Sequence, residues 1–218
     1  MHPVDLLAEL DRAEIPPGNR LLRRLLAEPT DVLREDAAAG DQDAAAMLAA
    51  LGQGMDRTQF DAWRHGREIT GRRGEEVYRD HLKALSDARL IRSFVWVSDT
   101  NPGSPFDFEV TMPDGKVRRV EVKSTKRSFM IPMYFSRREL RTAATNGHIY
   151  DVVRIFGLDE PRPLLRSAKD VRLNVKKLMA AVACPDGMQP ENFRVEPRLF
   201  KFGDEEVALP APPALAAE

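Results

Sequence analysis

The sequence predicts an α/β fold in which helices flank a mixed central β-sheet, with core elements in the order helix, three strands, helix, strand (αβββαβ). Two observations support this prediction. A long segment with helical periodicity precedes three apolar runs separated by turn residues, and a capping motif then starts a second helix before a fourth apolar run. The 218 residues can bury a sizeable core, which favours one main domain with an accessory segment.

The first helix of this core is predicted over residues 57–88. Val77, Leu82 and Leu85 lie at helical spacing and give the helix one apolar side. The pattern weakens at residues 69–71, where the helix could break. The C-terminal end of this helix would lead directly into the first strand of the sheet.

Three strands are predicted next, over residues 90–97, 106–112 and 117–124. The turn-rich residues 99–104 separate the first two strands. The second and third are joined by Pro113-Asp114-Gly115, because Asp-Gly readily supplies the positive φ of a tight turn. On the third strand, Val117, Val120 and Val122 are expected to point into the core.

A capping motif marks the second core helix. Ser136 and Glu139 form a capping box, which predicts a helix ending near residue 147 and followed by a fourth strand over residues 149–156. Beyond the core we expect a helix over residues 171–182 capped by Asp170, and short strands over residues 193–200 and 206–209.

Composition and charge divide the chain into segments. Residues 1–56 read as short helices with 11 acidic and 5 basic residues. We expect them to form a helical bundle packed on the main domain; alternatively, this acidic segment could dock a protein partner or cover a basic cleft. Residues 57–170 hold 22 basic and 16 acidic residues, so a modest basic excess coincides with the predicted sheet. Residues 171–209 are expected to pack on the core, and the Pro- and Ala-rich residues 210–218 to be disordered.

Several classes of protein and site are disfavoured. No apolar run approaches the ~20 residues of a membrane span, and Met1-His2-Pro3 does not begin a signal-peptide pattern. Cys184 is the only cysteine, which excludes an internal disulfide framework and a cysteine-based zinc site. The sequence contains no P-loop. We therefore expect a cytoplasmic protein that drives no ATP-dependent step.

The chemistry is predicted on the second and third strands. Glu121 and Lys123 are two residues apart on a strand, so their side chains leave the same face. If the hairpin pairs as predicted, Asp107 lies across from Glu121. Two carboxylates and a lysine on adjacent strands suit metal-assisted cleavage of a phosphodiester bond. By itself, an E-x-K pair is usually a solvent-exposed ion pair worth less than about 1 kcal/mol.

A series of motifs places this pair in a family. The motifs are G-x-x-G-E at residues 71–75, V-W-V at 95–97, G-x-P-F-D-F at 103–108, V-E-V-K-S-T at 120–125, F-S-x-x-E at 135–139 and Y-x-x-x-R-I at 150–155. In this order the chain resembles the protein NO VEIN C-terminal domain family, which is similar to the PD-(D/E)xK, or restriction-endonuclease-like, superfamily. One residue separates Pro105 from Asp107, where the nominal superfamily motif has none.

The resemblance implies a nuclease domain over residues 57–170 and a set of catalytic groups. Asp107, Glu121 and the Val122 carbonyl would hold Mg²⁺, with Mn²⁺ as a substitute, and Lys123 would orient the attacking water. Glu75 resembles the family's helix carboxylate, although Glu76 beside it remains an alternative. The residues proposed to contact nucleic-acid phosphates are Ser124, Thr125, Lys126, Arg127, Arg137, Arg138 and Arg141.

The predicted function is a Mg²⁺-dependent endonuclease acting on DNA in restriction, defence or repair. A homodimer would suit cleavage of both strands of a duplex. The alternatives are a catalytically silent module of the same fold that binds nucleic acid or a protein partner, and a protein-interaction adaptor built on the acidic N-terminal segment. Fold alone does not decide between them, because function belongs to sites.

Overall fold

The computed structural model describes residues 34, 37, 57–145, 147–182 and 190–210. The accessory segment predicted over residues 1–56, apart from those two residues, lies outside the described part of the chain. So do Cys184 and the disorder predicted for residues 211–218.

The described core alternates helices and strands. Its helices are α1 (Arg57–Asp87), α2 (Val97–Thr100), α3 (Arg137–Ala144) and α4 (Arg172–Ala181), with a 3₁₀ turn at Pro197–Leu199. Its strands are β1 (Ser93–Trp96), β2 (Phe108–Thr111), β3 (Val117–Ser124), β4 (Met133–Ser136), β5 (Ile149–Phe156), β6 (Leu164–Ala168), β7 (Asn192–Val195) and β8 (Val207–Ala208).

Six strands form a mixed sheet in the order β1-β2-β3-β5-β6-β8, and β4 pairs with β7 in a separate two-stranded sheet. β3 and β5 are parallel, with Glu121 opposite Val152 and Lys123 opposite Arg154. The other pairings in the large sheet are antiparallel. The predicted α/β class with a mixed central sheet is confirmed, and α3 makes the crossover that a parallel pair requires.

The two faces of the large sheet carry separate apolar cores. On one face α1 packs through Val77, Tyr78 and Leu82 against strand residues that include Phe108 and Val120. The other face is covered by α3, α4 and the two-stranded sheet. The sheet is therefore the middle layer of the described core, and its central strand β5 is accordingly buried on both faces from Tyr150 to Phe156.

One glycine fixes how closely α1 approaches the sheet. A Cβ atom at Gly74 would lie 2.3 Å from Cβ of Ser124 at the end of β3. The Ser124 hydroxyl also donates to the Thr70 carbonyl at 2.9 Å. The missing side chain thus lets the helix backbone contact the strand, and it places the next residue, Glu75, beside the strand end.

The bounds of β3 and β5 coincide with the predicted ones, and the predicted capping box at Ser136 and Glu139 starts α3. The continuous helix predicted over residues 57–88 is also confirmed, since α1 has no break at residues 69–71. Other details were wrong. Val171 rather than Asp170 is the N-cap of α4. Val117 is 47% exposed instead of buried, because it begins β3 next to the turn.

The strand predictions also erred in number and length. β4 and β6 were not predicted, β1 and β2 are shorter than expected, and the segment 193–200 is a strand only to Val195 before its 3₁₀ turn. Among the described residues, no helix has both the length and the apolar character needed to cross a membrane.

Candidate active site at the end of the β2–β3 ladder

The site is organised around the point where β2 starts. Asp107 precedes β2 and donates its backbone N–H to the Val120 carbonyl at 2.9 Å. Its side-chain Oδ2 accepts from the backbone N–H of Val122 at 2.7 Å. The carboxylate thus takes a ladder position that a backbone carbonyl would otherwise fill, which fixes its orientation relative to β3.

The third strand supplies an acid and a base to this point. Lys123 Nζ lies 2.5 Å from Glu121 Oε1, as expected for side chains two residues apart on one face. Glu121 is only 3% exposed, and the Lys123 ammonium also sits 4.7 Å from the centroid of the Phe135 ring. The predicted grouping of Glu121 and Lys123 is therefore present and largely removed from water.

A further carboxylate comes from α3. Glu139 completes the capping box by accepting from the Ser136 backbone N–H at 2.9 Å. The same Oε2 atom lies 3.1 Å from Lys123 Nζ. The cap of α3 therefore also places an acid against the candidate catalytic lysine.

Tyr150 holds Glu121 from the neighbouring strand. Its hydroxyl oxygen lies 2.7 Å from the Pro105 carbonyl oxygen and 3.2 Å from Glu121 Oε2. The residue is fully buried at the start of β5. It therefore joins the loop that precedes Asp107 to the carboxylate on β3.

Glu75, the carboxylate predicted on α1, is held beside the site by a hydrogen bond from Trp96. Glu75 Oε2 accepts from Trp96 Nε1 at 2.8 Å and from the Ser98 hydroxyl at 2.5 Å. The Trp96 ring is stacked on Phe108, with centroids 5.6 Å apart. Glu76, the alternative, instead faces Arg72 at 3.4 Å. Glu75 is thus the member of the pair that is directed toward the strands.

Electrostatics set this cluster apart from an ordinary ion pair. Burial, and then repulsion from Glu75, raises the pKa of the Asp107 carboxyl to about 7, although Lys123 and the Val122 N–H oppose the shift. Burial and the Asp107 charge likewise raise the pKa of Glu121 well above its usual range. These carboxyl groups repel one another in a region with little water.

The cationic and phenolic groups respond to the same field. Burial works to lower the pKa of Lys123, but the charges of Glu121, Glu139 and Asp107 outweigh it and raise that pKa. Burial and the charge of Glu121 raise the pKa of Tyr150 well above its usual range. Lys123 is therefore held charged, and the Tyr150 hydroxyl keeps its proton.

The residues predicted to contact phosphates are more scattered. Ser124 is turned toward α1, and Thr125 Oγ1 accepts from the Arg127 N–H at 3.3 Å. Lys126 lies 3.7 Å from Asp159, and Arg138 donates to the Gly103 carbonyl at 2.6 Å. Arg137 and Arg141 lie on α3, beside the capping box. These side chains surround the strand end without converging on a single point.

Three contributors to the site were not assigned to it from the sequence: Glu139, Tyr150 and Ser98. Glu139 and Tyr150 both belong to the motifs that marked the family, but Glu139 was interpreted only as a helix cap. Their contacts join residues 16 and 29 positions apart in the chain, which local patterns cannot reveal. Ser98 lies in α2, a four-residue helix with no predicted signal.

Residues 74–166 match the family model described as Protein NO VEIN, C-terminal. This match confirms the family resemblance inferred from the motifs, and its span contains all of the site residues described above. No curated protein and no solved structure matches the chain.

Proposed function

We propose that this chain is a metal-dependent endonuclease that hydrolyses phosphodiester bonds in nucleic acid, with DNA as the expected substrate. The observation that carries the proposal is the surplus of buried and half-buried acid at the end of the β2–β3 ladder. Four carboxyl groups, those of Glu75, Asp107, Glu121 and Glu139, act on one lysine or on one another. Such a surplus is costly unless a cation offsets it.

The donor set fits Mg²⁺, with Mn²⁺ as a substitute. Asp107 and Glu121 provide carboxylate oxygens, and the Val122 carbonyl lies in the strand beside them. Across the described residues, no three His, Cys, Asp or Glu side chains are close enough to form a metal site by themselves. Mg²⁺ does not require three, because it retains several waters and uses few protein oxygens.

The roles of the protein groups follow from their contacts. A divalent cation would supply Lewis-acid polarisation of the scissile phosphate. Lys123, held charged, would orient the attacking water and stabilise negative charge that develops on the phosphoryl oxygens. Glu139 keeps the ammonium group in place, and Tyr150 keeps Glu121 in place. Glu75 would bind the cation through a water molecule or hold a second cation.

The remaining parts of the proposal concern substrate and setting. The basic excess of residues 57–170 favours a polyanionic substrate. Lys126, Arg127 and Arg138 lie on loops and a helix start around the strand end, where they could contact the flanking phosphates. A role in restriction, defence or repair, and a cytoplasmic setting, follow from the family resemblance and the sequence composition.

The direct test measures cleavage of plasmid and single-stranded DNA by the purified protein with Mg²⁺, Mn²⁺ or EDTA. The wild type is compared with Asp107→Ala and with the matched control Glu109→Gln. Glu109 lies two residues further along β2, and its side chain is 38% exposed and faces Arg119. We expect metal-dependent cleavage that Asp107→Ala loses and Glu109→Gln retains.

Cleavage that persists in EDTA, or equal activity of Asp107→Ala and the wild type, would contradict the proposal. If neither protein cuts DNA but both bind it, the chain acts as a binding module of this fold.

A further inference from the structure

A second charged feature lies on the same face of the sheet as Lys123. The strand register places Lys123 on β3, Arg154 on β5 and Arg166 on β6 in one row across the sheet. Lys123 contacts Glu121 and Glu139, and Arg166 contacts Glu206 at 2.5 Å. The central member, Arg154, has no acidic partner within the described part of the chain.

Arg154 is also the most buried charge of the row. The residue is 2% exposed, and its Nη2 donates to the Ile131 carbonyl at 2.8 Å. Its Nε, which is shielded from water, has no hydrogen-bond partner among the described residues. Burial without a compensating carboxylate lowers the pKa of this guanidinium to about 9. A buried cation with an unpaired Nε is costly, and the one bond to the Ile131 carbonyl offsets only part of that cost.

A cationic pocket adjoins this buried charge. Phe156 and Leu164 form the next row on the same face, two residues beyond Arg154 and Arg166, and both line a cavity of about 280 Å³. Lys126, Arg127 and Arg162 supply three cations to its wall, against the single acid Glu160.

The pocket lies where a ligand is expected in a sheet of this kind. It is formed by the loops that follow β3 and β5, at the carboxyl ends of the parallel pair, where open α/β sheets commonly bind ligands. Arg162 is exposed and makes no hydrogen bond or ion pair with the rest of the described chain, so it is available to a ligand. Phe156 and Leu164 provide an apolar floor.

We propose that this pocket binds a backbone phosphate of the nucleic-acid strand, away from the scissile bond, with Arg162 and Lys126 at its rim and the charge of Arg154 beneath it. The inference rests on the proposed nuclease function and adds to it a positioning subsite for the substrate. Arg154 need not contact the phosphate, because an uncompensated charge acts over several ångströms in the protein interior.

The first test uses Arg162→Gln, with Arg92→Gln as its matched control. Arg92 is likewise exposed but lies beside β1, at the opposite edge of the six-stranded sheet. Binding of a single-stranded oligonucleotide is measured in EDTA over a series of salt concentrations. Loss of one phosphate contact should make the slope of log K against log salt shallower by about 0.7 for Arg162→Gln. Arg92→Gln should keep the wild-type slope. Equal slopes for all three proteins would overturn the proposal.

The second test separates binding from stability at Arg154. We expect Arg154→Met to weaken oligonucleotide binding about tenfold while its Tm is unchanged or higher, since the substitution removes an uncompensated buried charge. A lower Tm with unchanged oligonucleotide affinity would show a structural role and overturn the part assigned to Arg154.

Further results distinguish a free anion from a nucleic-acid phosphate in the pocket. They also distinguish failure of the pocket proposal from failure of the nuclease proposal. If inorganic phosphate raises the Tm of the wild type but not of Arg162→Gln, while both proteins bind the oligonucleotide with the same salt slope, the pocket holds a free anion and the assignment to a nucleic-acid strand is wrong. If the wild type cleaves DNA with Mg²⁺ but Arg162→Gln keeps the full salt slope, the pocket proposal alone fails. A wild type that binds no nucleic acid would overturn both proposals.

Discussion

Two buried carboxylates on neighbouring positions of the same strand pair have opposite surroundings. Asp151 on β5 accepts from Arg118 Nε at 2.6 Å, from Arg118 Nη2 at 2.7 Å and from the Asp170 N–H at 2.8 Å. Glu121 on β3 faces the other side of the sheet, where Asp107 and Glu139 add further acid around one lysine.

The comparison shows that burial of a carboxylate does not by itself mark a functional site. Asp151 has a bidentate arginine and a backbone donor, so its charge is matched and its oxygens are satisfied. Around Glu121 acids outnumber bases, and burial together with their mutual repulsion raises the pKa values of Asp107 and Glu121. The unmatched cluster, where the pKa values are perturbed, is therefore the candidate functional site.

The largest expected effect comes from breaking the ion pair between Arg118 and Asp151. Arg118→Ala should lower the free energy of unfolding by about 3–5 kcal/mol, because it leaves the buried Asp151 with only the exposed Lys169 ammonium, 3.8 Å away, as a cationic neighbour. Urea denaturation checks this. The control Arg119→Ala removes a partly exposed pair with Glu109, so it should cost less than about 1 kcal/mol. Equal costs for both variants would show that the Arg118 pair is an ordinary surface contact.

Lys123→Ala should remove catalysis from the unbalanced cluster. We expect the cleavage rate to fall by about 10²–10³-fold while the fold and nucleic-acid binding persist, since the ammonium would stabilise charge mainly in the transition state. Single-turnover cleavage and circular dichroism measure the two properties. Lys116→Ala, on the exposed turn before β3, is the control and should cleave normally. Unchanged cutting by Lys123→Ala would rule out the mechanism.

In metal-free protein, the free energy of unfolding should depend on pH through Asp107, a member of the unmatched cluster around Glu121. The pKa of Asp107 is about 7 in the fold and near 3.8 without it, so the native state binds the extra proton between these values. The contribution of the Asp107 carboxyl to the free energy of unfolding therefore falls as the pH rises from about 4 to 7. Asp107→Asn keeps an acceptor for the Val122 N–H and removes that penalty.

We expect Asp107→Asn to match the wild type near pH 4 and to be more stable by about 2–4 kcal/mol at pH 8 in EDTA. Urea denaturation at both pH values measures the difference. A gap that is constant with pH would show that Asp107 carries no raised pKa.

The smallest predicted effect on stability concerns the close contact between α1 and the end of β3 at Gly74. Gly74→Ala should destabilise the protein by about 1–3 kcal/mol, because the new methyl group would overlap Ser124. Gly71→Ala on the same helix meets nothing within 4 Å and should instead stabilise by up to about 1 kcal/mol. Thermal unfolding of both variants checks the opposite signs. Similar shifts for the two would contradict the close packing at Gly74.

Sequence patterns predicted the parts of the fold that local chemistry determines. Apolar runs next to turn residues located β3 and β5 to the residue, and the capping box located the start of α3. β4 and β6 were missed: β4 is only four residues long and pairs with β7 about 60 residues later in the chain. A short segment of that kind becomes a strand through its partner rather than through its own pattern.

The candidate site was predictable only where its members lie on adjacent strands. The spacing of Glu121 and Lys123 and the hairpin before them were enough to place Asp107 nearby. The choice of Glu75 over Glu76 depends on Trp96, whose indole N–H reaches across 21 residues of sequence to bind the carboxylate. The sequence predicts Glu139 as part of the capping box, but its second contact, with Lys123, could be seen only in the tertiary structure.

Whether the unmatched carboxylates form a divalent-cation site can be decided by Mn²⁺ binding to metal-free protein at pH 8. Isothermal titration of the wild type, Asp107→Asn and Glu109→Gln would measure this binding. We expect the wild type and Glu109→Gln to bind Mn²⁺, with a large loss of affinity in Asp107→Asn. Absence of Mn²⁺ binding by the wild type, or equal affinity in Asp107→Asn, would contradict this expectation.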